Sequence, residues 1–169
     1  NETYSFLEEF NDAYKAANPD AFTVGEVWSS TQSIVPYVQN ERLDVCFEFG
    51  LAGSILDAVN NGNPQSIANQ LETVQNSYPQ LQYATFLTNH DMDRVFSTLG
   101  SSVDKMKLAA ALYLTLPGIP FVYYGEEIGL VGTGDHLNIR RPMHWSDDAH
   151  AGFSTTSPWQ TIGGNFLTN

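Results

Sequence analysis

The sequence predicts an α/β fold in which four parallel strands are joined by helical crossovers. Three observations predict it. Four short apolar runs, "AFTVGEV", "LDVCFEF", "YATFLT" and "IPFVYYG", read as strands. The segments between them carry apolar residues at spacings of three and four, the helical period. Alternation of strand and helix implies a parallel sheet with right-handed crossovers.

The opening segment reads as a helix, with Phe6, Leu7, Phe10, Ala13, Tyr14 and Ala17 on one face. Pro19 stops it, because the residue before a proline is pushed out of helical geometry. "AFTVGEV" (21–27) is the first strand. A short helical connection covers 31–40, limited by Pro36. "LDVCFEF" (43–49) is the second strand, and "LAGSILDAVNNG" (51–62) a helix that "NGN" breaks. Asn63 and Pro64 read as N-cap and first helical position. Ile67, Leu71, Val74 and Tyr78 carry that helix to Pro79. "YATFLT" (83–88) is the third strand. Val103, Met106, Ala110, Tyr113 and Leu114 mark the next helix, closed by "LPG" at 116–118. "IPFVYYG" (119–125) is the fourth strand, and the Gly-, Asp- and Pro-rich remainder reads as ordered loop around Trp145 and Trp159. Periodicity alone fits either an open doubly wound sheet or part of an eight-stranded barrel.

With 169 residues and 42% apolar content the chain suits one domain with a sizeable core. No apolar run is long enough to span a bilayer, so no membrane partner is expected. The net charge of −12 repels phosphate backbones and argues against nucleic acid, whereas a neutral carbohydrate is not repelled. The single cysteine, Cys46, reads as a small buried hydrophobe. His136, His144 and His150 are irregularly spaced, without a helical His pair, so no metal site is read from them.

The polar residues cluster where strands end. Glu26 closes the first strand, Asn89, His90 and Asp91 follow the third, and Glu126 and Glu127 follow the fourth. In parallel α/β folds the C-terminal strand ends open on one face, where active sites lie. Two carboxylates on that face suit glycoside cleavage, in which one protonates the leaving oxygen and another is ionised. His90 can donate a hydrogen bond to a sugar hydroxyl, and Trp28 offers an aromatic face to a sugar ring. A plainer reading makes Asp91 the cap of the helix that follows it. Arg94 reads as a partner that locks these carboxylates.

"VGEVW", "FLTNHDMDR", "LPGIPFVYYGEEIGL" and "RRPMHW…AGFS…PW" together resemble the alpha-amylase superfamily of retaining glycoside hydrolases, in order and over nearly the whole chain. The resemblance implies the C-terminal half of a (β/α)8 TIM barrel, strands five to eight. Residues 1–169 would be a partial catalytic domain running from helix four through strand eight and its following loop. It implies Glu26 as general acid/base, Asp91 as the third carboxylate, and His90 and Arg140 as sugar contacts. The tail resembles alpha-glucosidase-like members most. The implied substrate is an alpha-glucan or maltooligosaccharide, with calcium possible in a complete enzyme and no cofactor identifiable here.

The family nucleophile, an Asp in a G-F-R-x-D motif, does not occur in these residues. The expectation is therefore that the chain by itself is inactive. Four strands of a barrel would also leave open edges through which copies associate. The alternative is a non-catalytic carbohydrate-binding or assembly protein built on the same barrel.

Overall fold

The computed structural model describes residues 1–162, which form two compact units. The first comprises Asn1–Phe86 with Tyr113–Phe121, and the second Leu87–Leu112 with the chain from Val122 onward.

The first unit holds the sheet. Strands β1 (Val24–Gly25), β2 (Val45–Phe47), β3 (Tyr83–Thr85) and β4 (Ile119–Pro120) lie in sequential order, all parallel. A doubly wound sheet reverses its strand order, whereas a barrel does not, so the order observed is that of a barrel segment. The strands are shorter than the apolar runs predict, although residues 83–88 are all buried. Pro120 lacks an N–H, and it lies on β4 at the sheet edge, where that loss is tolerated. Gly25 permits the close approach of β1 to β2. A Cβ there would lie 2.6 Å from Leu43 Cδ1 and 2.7 Å from Cys46 Sγ.

Helix α1 (Glu2–Ala17) starts where the Asn1 side chain accepts from Thr3 N, and ends ahead of Pro19 as predicted. Its packing face overlaps the predicted apolar one only at Leu7 and Tyr14. Phe6 and Phe10 are exposed. Tyr14 and Lys15 instead reach Asp44, at 3.0 Å each, and Glu8 pairs with Arg42 at 2.7 Å. Charged partners fix the rotation of this helix more strongly than its apolar stripe does. The Asp44 carboxylate is pushed up by burial. Hydrogen bonds from Lys15, Thr23 and Tyr14 outweigh that and hold it below its ordinary value.

The connection after β1 is one short helix, α2 (Thr31–Ile34), and a 3-10 turn to Tyr37, so it ends before the predicted residue 40. Helix α3 (Phe49–Asn61) begins two residues earlier than predicted, because Glu48 accepts from Gly50 N and caps it. Gly62 closes α3 in the left-handed region, at φ 68°. Pro64 opens α4 (Pro64–Ser77) as predicted, but Asn63 makes no side-chain cap bond.

Glu48 is fully buried. Its carboxylate accepts from Thr31 Oγ1 at 2.9 Å, Gln70 Nε2 at 3.2 Å and Tyr78 OH at 2.7 Å, besides Gly50 N. These bonds join α2, α3, α4 and the end of β2. Around them Leu51, Ile55, Val74 and Ala84 are fully buried. Cys46 is buried as predicted, and burial pushes its thiol up to about 11.

In the second unit, α5 (Val95–Thr98), the first turns of α6 (Val103–Thr115) and α7 (His136–Ile139) are helical. Among its other described residues a 3-10 turn covers Ala149–Gly152 and the remainder is loop; Leu87, Val95, Leu99, Leu130 and Ile139 of this unit are buried. Among the described residues no helix is long and apolar enough to cross a membrane.

Replacing Glu48 by Ala strands the buried hydroxyls of Thr31 and Tyr78. Denaturant titration is expected to show a loss of about 3 kcal/mol or more, with Glu48→Gln intermediate. Alkylation of Cys46 is expected only in denaturant, since the buried thiol stays protonated. Labelling of the native chain would contradict its placement.

Candidate active site

In the first unit, Glu26 follows the last residue of β1 and is exposed. Gly25 immediately before it lets the backbone run close to the Leu43 and Cys46 side chains. Trp28 is 60% exposed, and its ring lies on that of Phe49 at 4.8 Å and 18°. One face of the indole is thereby supported and the other is available to a ligand.

The second unit gathers Asn89, His90, Asp91 and Arg140. Asn89 shapes the loop: its Oδ1 accepts from Asp91 N at 2.9 Å, and its carbonyl accepts from Met92 N. His90 Nε2 lies 3.2 Å from Asp91 Oδ2. Arg140 Nη2 donates to Asp91 Oδ1 at 2.5 Å, and its Nε donates to the His90 carbonyl at 2.9 Å. A carboxylate gripped by one arginine and one histidine, yet 44% exposed, is fixed in direction and still able to meet a ligand.

Two expectations are corrected. Asp91 does not cap the following helix, whose N-cap position is Arg94. Nor does Arg94 hold Asp91; of the strand-end carboxylates its charge acts on Glu126. Arg94 is almost fully buried, donates to the Tyr124 carbonyl, and lies over the rings of Tyr123 at 4.1 Å and Tyr124 at 4.4 Å. Arginine meets an aromatic face well because its planar cation is weakly hydrated. The arginine that holds Asp91 is Arg140, 49 positions away.

The pair after β4 separates into a buried and an exposed residue. Glu127 is exposed, whereas Glu126 is buried and accepts from Thr88 Oγ1 at 3.3 Å. Burial pushes the Glu126 carboxyl up to about 7, against the pull of Thr88 and Arg94. Asp93 accepts from Gly134 N at 2.8 Å and ties down the loop before α7. Sequence reasoning gave neither Glu126 nor Asp93 a structural role, and the doublet "YYGEE" was the available signal for the first.

Beside Arg140 an open cleft of roughly 280 Å³ is lined by Tyr124, Met143, Trp145, Phe153 and Trp159, among others. No three His, Cys, Asp or Glu among the described residues gather into a group able to hold a metal ion.

The family described as alpha amylase, catalytic domain, matches residues 1–169. Alpha-amylase 3 of Dictyoglomus thermophilum is 40% identical over 152 residues, which are 88% of this chain and 30% of that protein. A cyclomaltodextrinase of Geobacillus thermopakistaniensis is 33% identical over 150 residues, covering 86% of this chain and 25% of its own length. The crystal structure of alpha-amylase from H. orenii matches with a TM-score of 0.79 at 35% identity, over 85% of this chain and 30% of that one. The chain thus spans less than a third of the length of these relatives, and its four parallel strands correspond to part of their barrel.

Glu126 keeps its proton in the folded protein from its ordinary 4.5 up to about 7, where the unfolded chain has lost it. Its contribution to stability therefore falls as pH rises through that window. The stability of wild type relative to Glu126→Gln is expected to decline between pH 4.5 and about pH 7, read by denaturant titration. A difference independent of pH would overturn this assignment.

Proposed function

The chain belongs to the alpha-amylase catalytic-domain family, and from that premise we propose that it forms the second half of the (β/α)8 catalytic domain of a retaining glycoside hydrolase. Its domain span is residues 1–169, from helix four through strand eight and the loop after it. The substrate is an alpha-glucan or maltooligosaccharide. The observation that carries the reading is Asp91, held by His90 and Arg140 in an accessible position. The names of the relatives, an alpha-amylase and a cyclomaltodextrinase, support the substrate class.

Catalysis proceeds by double displacement. A carboxylate nucleophile, not among these residues, attacks the anomeric carbon while Glu26 gives its proton to the departing glycosidic oxygen. Glu26, now ionised, takes a proton from water, whose oxygen displaces the enzyme carboxylate. Asp91 accepts hydrogen bonds from ring hydroxyls and binds the flattened, positively charged ring more strongly than the relaxed one. His90 donates to a sugar hydroxyl, Arg140 aims Asp91, and Trp28 stacks on a ring. Asn89 supports this group through the turn it makes with Asp91.

In the complete barrel, Glu26→Gln is expected to lower kcat about a thousandfold. Asp91→Asn should lower kcat far more than it raises KM, the mark of a contact made in the transition state. Full activity in Glu26→Gln would sink the reading. The 169-residue chain alone is expected to hydrolyse maltooligosaccharides no faster than its own Glu26→Gln variant.

A further inference from the structure

Arg140 is bracketed by two tyrosines. Tyr123 OH donates to the carbonyl of Ile139 at 3.1 Å, and Tyr124 OH donates to that of Arg141 at 2.7 Å. These are the residues immediately before and after Arg140. Both rings in turn carry the buried Arg94 guanidinium, and they meet each other edge-on at 4.8 Å and 71°. Arg94 also donates to the Tyr124 carbonyl.

The Arg140–Asp91 pair lies at the surface, with both side chains about two-fifths exposed. Such a pair holds little by itself, because water screens it and two flexible side chains must be ordered. Its direction must be set by the backbone that carries Arg140. Neither α7 nor the turn after it is long enough to be rigid alone. The tyrosine hydroxyls supply that restraint from both sides, and the stacked Arg94 holds the rings.

We propose that Tyr123, Tyr124 and Arg94 are positioning residues that fix Arg140, and through it the carboxylate of Asp91 and the carbonyl of His90. The proposal rests on the reading of Asp91 as a catalytic residue. It explains why a cation is buried under "YYG" rather than beside the carboxylates of its own motif. A small misplacement of an aiming group is enough to lower turnover strongly, by about a hundredfold for roughly 1 Å.

The test uses Tyr123→Phe/Tyr124→Phe in the complete barrel. It keeps both rings on Arg94 and removes only the two hydroxyls. The expected result is a fall in kcat of about tenfold, with KM changed by less than about twofold. In an Arg140→Ala background the same double change should have no further effect on kcat. Nitrogen relaxation of the Arg140 Nε–H group should report a looser side chain in the tyrosine variant. Losses that simply add in the Arg140→Ala background, or an Arg140 as rigid as before, would overturn the proposal. If Arg140 loosens while kcat holds, and Asp91→Asn also keeps its kcat, the catalytic reading of Asp91 fails and the bracket on Arg140 stands. If Asp91→Asn loses turnover while the tyrosine variant keeps both rigidity and rate, the bracket fails and the catalytic reading stands.

Discussion

Strand β2 is strung between two carboxylates, and the first unit depends on that arrangement. At its start, Asp44 collects Lys15 and Tyr14 of α1 and both the amide and hydroxyl of Thr23. Past its end, Glu48 collects Thr31, Gly50, Gln70 and Tyr78. A buried carboxylate is tolerated only when its lone pairs are met by donors. That demand selects one arrangement of the surrounding helices from the many that apolar contact alone would allow. Apolar burial supplies driving force without direction, and the carboxylates supply the direction.

The second unit uses a cation for a similar purpose. Arg94 reconciles burial with its charge by lying over two aromatic rings and bonding a carbonyl. The solution is less complete than that of Glu48. Arg94 Nη2 and Glu126 Oε2 are buried without a hydrogen-bond partner among the described residues. The incomplete pairing fits the upward displacement of the Glu126 carboxyl, since burial is not fully offset by donors.

Acidic residues in this chain therefore divide by environment. Glu48, Glu126 and Asp44 organise backbone and helices from partly or fully buried positions. Glu26 and Asp91 are exposed and stand after strand ends. Water access leaves a carboxylate able to meet a solute, and its absence is what a structural carboxylate needs to fix geometry. The surface excess of acid has a separate consequence, repulsion of other anions.

The sequence by itself determined the alternation of strands and helices and most of the helix limits. Pro19, Gly62, Pro64 and Pro79 act through the backbone of their immediate neighbours, so their effects are local and legible. The motifs around Glu26 and "TNHD" were legible because they stand where strands end. Only the tertiary structure decided which face of α1 packs, how short the strands are, and which arginine serves Asp91. The sequence offered Arg94 as a partner for the strand-end carboxylates as a group and named none for Asp91. The partner is Arg140, because an ion pair is set by distance in space, and that distance depends on which segments fold beside one another.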